Sequence, residues 1–75
     1  MKGGKKVEIT LKALRASKNL TQEDIAKKLD ISVETWRNYE KGKSFPNVLT
    51  IKKIETFFKV PYSEIIFLPS NTIKS

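Results

Sequence analysis

Cysteine and histidine are both missing from these 75 residues. Without cysteine there is no disulfide and no thiolate metal site. Without histidine the commonest general base is gone, and so is the other usual zinc ligand. No acidic pair clusters in the pattern, so nothing points to an enzyme, a metal site or a cofactor. No apolar run approaches the ~20 residues that span a bilayer. The basic start, Met1 to Lys6, has no apolar segment after it and does not read as a signal peptide. The lack of disulfides fits a cytoplasmic protein.

What the chain has is positive charge, +7 net. The summed field of a small basic domain attracts polyanions, nucleic acid among them. The length allows one small domain with a modest core. Residues 1–6 read as a flexible basic arm, because two glycines disfavour a helix and the lysines repel one another. Residues 7–68 read as the folded domain and 69–75 as a short tail.

The domain reads as helical throughout, with no segment alternating over strand length. Val7, Leu11 and Leu14, flanked by Ile9, Ala13 and Ala16, give a first apolar stripe starting near Val7 or Glu8. It stops around Asn19, which tolerates the left-handed conformation. Thr21 and Asp24 form a capping box, and Leu20 and Ile25 are spaced as a staple, for a second helix. Asp30 and Ile31 make a turn, and Ser32 caps a third helix that Gly42 ends. Trp36 and Tyr39 share the inner face of this helix, and Val33, Glu34, Arg37, Asn38 and Lys41 the outer one. Asn47 caps a fourth helix through about Phe58, with Val48, Ile51, Ile54 and Phe58 inward. Lys59-Val60-Pro61 breaks it, and a last short helix is expected over about Tyr62 to Phe67.

The run Leu20-Thr21-Gln22-Glu23-Asp24-Ile25-Ala26, then Ile31-Ser32, then Tyr39-Glu40-Lys41-Gly42-Lys43 and Pro46, resembles the helix-turn-helix domain of the phage Cro/C1 repressor and Xre family. The resemblance covers about Val7 to Leu68. It implies an all-α, lambda-repressor-like fold, here a compact five-helix bundle, that binds double-stranded DNA in a sequence-specific way. It also implies a transcriptional regulator, by expectation a repressor, and a homodimer on DNA. Ile65, Ile66, Phe67 and Leu68 offer a candidate dimer surface, with core cover as the other use for them. An antitoxin-like module that also binds a protein partner is the alternative role for the same domain.

The second helix of such a motif enters the major groove, where each base pair presents a distinct pattern of donors and acceptors. The base-reading candidates are therefore Val33, Glu34, Arg37 and Asn38. Asparagine pairs bidentately with adenine, arginine with guanine or a phosphate, glutamate with cytosine N4, and valine with the thymine methyl. Gln22, Thr21, Ser32, Lys41, Gly42 and Lys43 are the candidates for backbone contact. The resemblance also implies a buried ion pair between Arg15 and Glu40. Two positions depart from the family pattern. Asp30 stands where the turn usually has glycine, and Trp36 where an isoleucine or valine is usual. The bulk of Trp36 must be absorbed by small neighbours such as Ala26 or Ala13.

Overall fold

A computed structural model describes residues 8–67. The expected arm, Val7, Leu68 and the tail lie outside these residues. Among the described residues there are four α-helices: α1 Leu11–Ser17, α2 Gln22–Leu29, α3 Val33–Lys41 and α4 Val48–Phe58. A two-residue strand, β1 (Ile9–Thr10), precedes α1, and a second, β2 (Ile65–Ile66), ends the described chain. The two pair in parallel, Ile9 with Ile65 and Thr10 with Ile66.

The expected five-helix bundle is corrected at both ends. The last helix is replaced by a 3-10 turn, Tyr62–Glu64, followed by β2. Two adjacent β-branched residues favour extended backbone. Extension also splits their faces, leaving Ile65 7% and Ile66 36% exposed. At the other end, α1 begins at Leu11 because the Thr10 hydroxyl accepts from the Ala13 N–H at 3.1 Å. Strand pairing holds the residues just before it. The first stripe is therefore narrower than its spacing suggests: Leu11 and Leu14 are buried, while Ala13 and Ala16 are exposed.

The core gathers Leu11, Leu14, Ile25, Ala26, Leu29, Trp36, Tyr39, Ile54, Phe58 and Ile65. Trp36 is wholly buried. The cluster includes small Ala26, while exposed Ala13 takes no part in it. In α4 the buried row is Thr50, Ile54 and Phe58. Val48, expected inward, is exposed. At 3.6 residues a turn it sits about 120° around the helix from Ile54.

Candidate nucleic-acid interface

Local hydrogen bonds set α2 and α3 against each other. The Thr21 hydroxyl accepts from the Asp24 N–H, and the Asp24 carboxylate accepts from the Thr21 N–H, both at 3.0 Å. Hydrogen bonding from Thr21 to this carboxylate, from its backbone N–H first and its hydroxyl second, holds the Asp24 carboxyl below its ordinary pKa. Helices α1, α2 and α3 then stop in the same way. Asn19, Asp30 and Gly42 all take left-handed backbone, with φ of 58°, 60° and 79°. The next N–H in each case reaches back to close the helix: Leu20 to the Arg15 carbonyl, Ile31 to Ala26 and Lys43 to Asn38. This is the Schellman arrangement, in which two terminal carbonyls find donors. Asp30 therefore does the work of the family's turn glycine, at a steric cost that glycine avoids.

Ser32 starts α3 by accepting from the Thr35 N–H at 3.0 Å. Its own hydroxyl donates to the Thr35 hydroxyl at 2.8 Å. In this arrangement the Ser32 O–H is spent on Thr35, and the Thr35 O–H is the one this pair does not use; Thr35 is within the sequence's own reach as a phosphate contact, beside Thr21 and Ser32. Along α3, Trp36, Tyr39 and Glu40 are buried. Glu34 and Lys41 are exposed, and Val33, Arg37 and Asn38 are half-buried. Four side chains of the expected reading set thus share one helix, but Val33 also packs against the edge of the core. Lys43 lies exposed just beyond Gly42.

The expected partners Arg15 and Glu40 meet, with Arg15 Nε 2.6 Å from Glu40 Oε2 and side-chain exposures of 16% and 5%. The guanidinium makes a second bond to Glu40 Oε1 at 3.3 Å and one to the Leu20 carbonyl at 2.9 Å. Two further donors reach the same carboxylate: Gln22 Nε2 at 3.0 Å and the Trp36 indole N–H at 2.5 Å. Burial alone would raise the Glu40 pKa. Hydrogen bonds from Arg15, Gln22 and Trp36, with the Arg15 charge, outweigh it and hold the carboxyl below its usual range. The sequence reading missed Trp36 and Gln22 here. The indole N–H could have been suspected, because Trp36 stands one helical turn before Glu40 and a buried indole N–H usually finds a partner.

This network also orients Gln22. Its carbonyl oxygen accepts from Arg37 Nε at 3.1 Å while one amide N–H goes to Glu40. The second N–H of the amide is left for an acceptor outside. Arg37 is further drawn to Glu23, at 3.6 Å in an exposed pair. A guanidinium so engaged is tied to two residues of α2. Beside the start of α2 opens a cleft whose lining includes Lys12, Thr21, Gln22 and Lys41. Lys12 lines this cleft, and the sequence pattern gave no reason to choose it over other surface lysines.

Among the described residues no group of His, Cys, Asp and Glu could hold a metal ion. No helix there is long and apolar enough to cross a membrane.

Comparison with known proteins places these features in a family. The chain matches the helix-turn-helix family HTH_3 over residues 11–65. It is similar to the HTH-type transcriptional activator BcrR of Enterococcus faecalis, 41% identical over 75% of this chain and 28% of that protein. It is 49% identical to an uncharacterized HTH-type transcriptional regulator of Methanocaldococcus jannaschii, over 73% of this chain and 83% of the other. The cryptic phage CTXphi transcriptional repressor RstR of Vibrio cholerae is 32% identical, over 75% of this chain and 50% of its own length. The matched stretch is thus a minor part of the first of these relatives and half of the third. No solved structure gives a significant match. A family match over most of the length, on a chain whose α2 and α3 are capped and stopped as this motif requires, makes the protein a member of the HTH_3 helix-turn-helix family.

Proposed function

We propose that the protein is a sequence-specific double-stranded DNA-binding transcriptional regulator, with α3 as the helix that enters the major groove. The observation that carries this reading is the division of α3 into a buried face of Trp36, Tyr39 and Glu40 and an outer face of polar side chains. A helix of that kind is held rigidly from behind and offers donors and acceptors in front, which is what base-edge reading needs. The family and the names of its regulator relatives support the same role.

Glu34 and Asn38, one turn apart, are the central readers, with Val33 at the core-side edge. Arg37 is assigned to orientation and phosphate contact more than to a base, because Gln22 and Glu23 hold it. Gln22, with Thr21 at the positive start of α2, grips a phosphate through its remaining N–H. Lys41, Gly42 and Lys43 meet the backbone after the reading helix, while Ser32, whose O–H is spent on Thr35, is left to start that helix. Repression is the simpler outcome, since occupying an operator needs only binding. The protein acts as a two-fold dimer on half-sites about one helical turn (~34 Å) apart.

Selection from random duplex DNA, followed by binding of variants to the selected site, tests this. Asn38→Ala is expected to cost about 1–3 kcal/mol at one operator position and to relax the preference there. An unchanged ranking of all base substitutions would remove Asn38 from the readers. Lys43→Ala should instead weaken every sequence alike and lower the salt slope by about one unit. A slope that stays put would take Lys43 off the backbone.

A further inference from the structure

One donor behind α3 has no counterpart in the residues usual at its position. Trp36 is fully buried, yet its indole N–H reaches Glu40 Oε2 at 2.5 Å, one turn further along the helix. The isoleucine or valine usual there would bring no donor at all. A buried indole N–H needs an acceptor. Here the acceptor is the same carboxylate that receives Gln22, the residue assigned to a phosphate.

We infer that Trp36 is a positioning residue for DNA binding: through Glu40, its indole N–H fixes the Gln22 amide that meets the phosphate. The inference rests on the DNA-binding reading and adds to it a residue too deeply buried to touch the nucleic acid. The hydrogen bonds run outward from the core. Glu40 Oε2 takes the indole N–H and Arg15 Nε, at 2.5 Å and 2.6 Å. Glu40 Oε1 takes Gln22 Nε2, at the first residue of α2, at 3.0 Å. Arg37 Nε donates to the other end of that amide, Gln22 Oε1, at 3.1 Å. Turned over, the amide would set its oxygen against a carboxylate and its N–H₂ against a guanidinium. It has one satisfied orientation, so its second N–H is held in one direction before DNA arrives.

Arg15 by itself holds the carboxylate less closely. Its second contact to Glu40 is long, 3.3 Å, and its Nη1 is drawn off to the Leu20 carbonyl. It also reaches in from another helix, α1. Trp36 and Glu40 share α3, and the indole is packed in the core cluster. The indole therefore fixes the Glu40 side chain from within its own helix. Without that N–H, Glu40 is free to follow Arg15, and the Gln22 amide loses a fixed acceptor. A group already ordered in its bound arrangement binds more tightly than one ordered on contact.

The test uses the full chain and Trp36→Phe, which keeps a ring in the core and deletes the N–H. On the site returned by selection it should bind about three- to tenfold more weakly, the scale of one hydrogen bond. The order of base preferences should not change, since phosphate contacts carry no sequence information. In a Gln22→Ala background the same replacement should cost nothing further, because the amide it positions is gone. A double-mutant cycle reads that coupling directly. Ile54→Val, buried in the same core but outside these hydrogen bonds, controls for lost stability and should leave affinity unchanged. Circular dichroism checks that every chain is folded at the temperature used. Without DNA, NMR of the Gln22 side-chain amide gives a second readout: its protons should exchange with water faster in Trp36→Phe than in the natural chain. A Trp36→Phe chain that binds as tightly as the natural one, or loses as much without Gln22 as with it, would overturn the inference. So would an equal loss in Ile54→Val. If selection returns no DNA site, the DNA reading fails, and amide exchange alone decides whether the indole positions Gln22.

Discussion

Replacing Trp36 with alanine should destabilise the domain by about 3–5 kcal/mol, the usual cost of emptying a buried aromatic site. Small domains have about 5–15 kcal/mol in total, so much of the protein would be unfolded at physiological temperature. Two losses combine. The indole is fully buried among Leu11, Ile25, Leu29 and Ile54 of the core cluster, so its removal leaves a cavity. Its N–H is also one of the donors on Glu40. Trp36→Phe separates the two, because it keeps most of the volume and loses the donor. Its expected cost is smaller, about 1–3 kcal/mol for a buried acceptor left short. Urea unfolding followed by circular dichroism measures both variants. An alanine variant as stable as the natural chain but unable to bind DNA would mean that Trp36 acts at the interface and not in the core.

Glu40→Gln should cost nearly as much, about 3–5 kcal/mol, because it strands the Arg15 charge in a nearly closed site. The replacement keeps the shape. It removes the counter-charge and turns an amide N–H₂ toward groups that are all donors: Arg15, Gln22 and the Trp36 indole. A cost below about 1 kcal/mol would put the pair with exposed ion pairs, whose worth is that small. The same carboxylate sets a pH dependence. Its folded pKa is lowered, so its contribution is complete above the ordinary carboxylate range and is lost as pH falls through the lowered value. Stability should therefore drop on the acid side, and the drop should be shallower in Glu40→Gln, which has no proton to take up. Parallel acid limbs for the two chains would show that other carboxylates carry the acid sensitivity. DNA binding should fall with the same variant, since Glu40 holds the Gln22 amide that we assign to a phosphate.

The path from sequence to site was clearest where a few neighbouring residues decide the structure. Thr21, Ser32 and Asn47 each cap the helix they were expected to cap, because a side-chain oxygen and an N–H three residues on are enough. Asn19, Asp30 and Gly42 stop their helices for a similarly local reason. Thr10 was legible in the same terms, but the apolar spacing of Val7, Leu11 and Leu14 argued for an earlier start. Spacing alone cannot tell a helical residue from one held extended by a strand elsewhere. Tyr62 to Phe67 was misread for that reason: two residues of strand have no period to detect, and their partner lies at the far end of the chain.

By itself, then, the sequence determined the helix starts and stops, the outer polar row of α3, the family and the Arg15–Glu40 pairing that the family implies. All of these rest on short-range hydrogen bonding or on a local motif. Only the tertiary structure decided that Trp36 and Gln22 share Glu40 with Arg15, that Arg37 is held by Gln22, and that Phe45, Val48 and Tyr62 stand together in the open. Those facts depend on the angles at which α1, α2, α3 and α4 meet. Such angles come from packing around a buried tryptophan, between residues far apart in the chain.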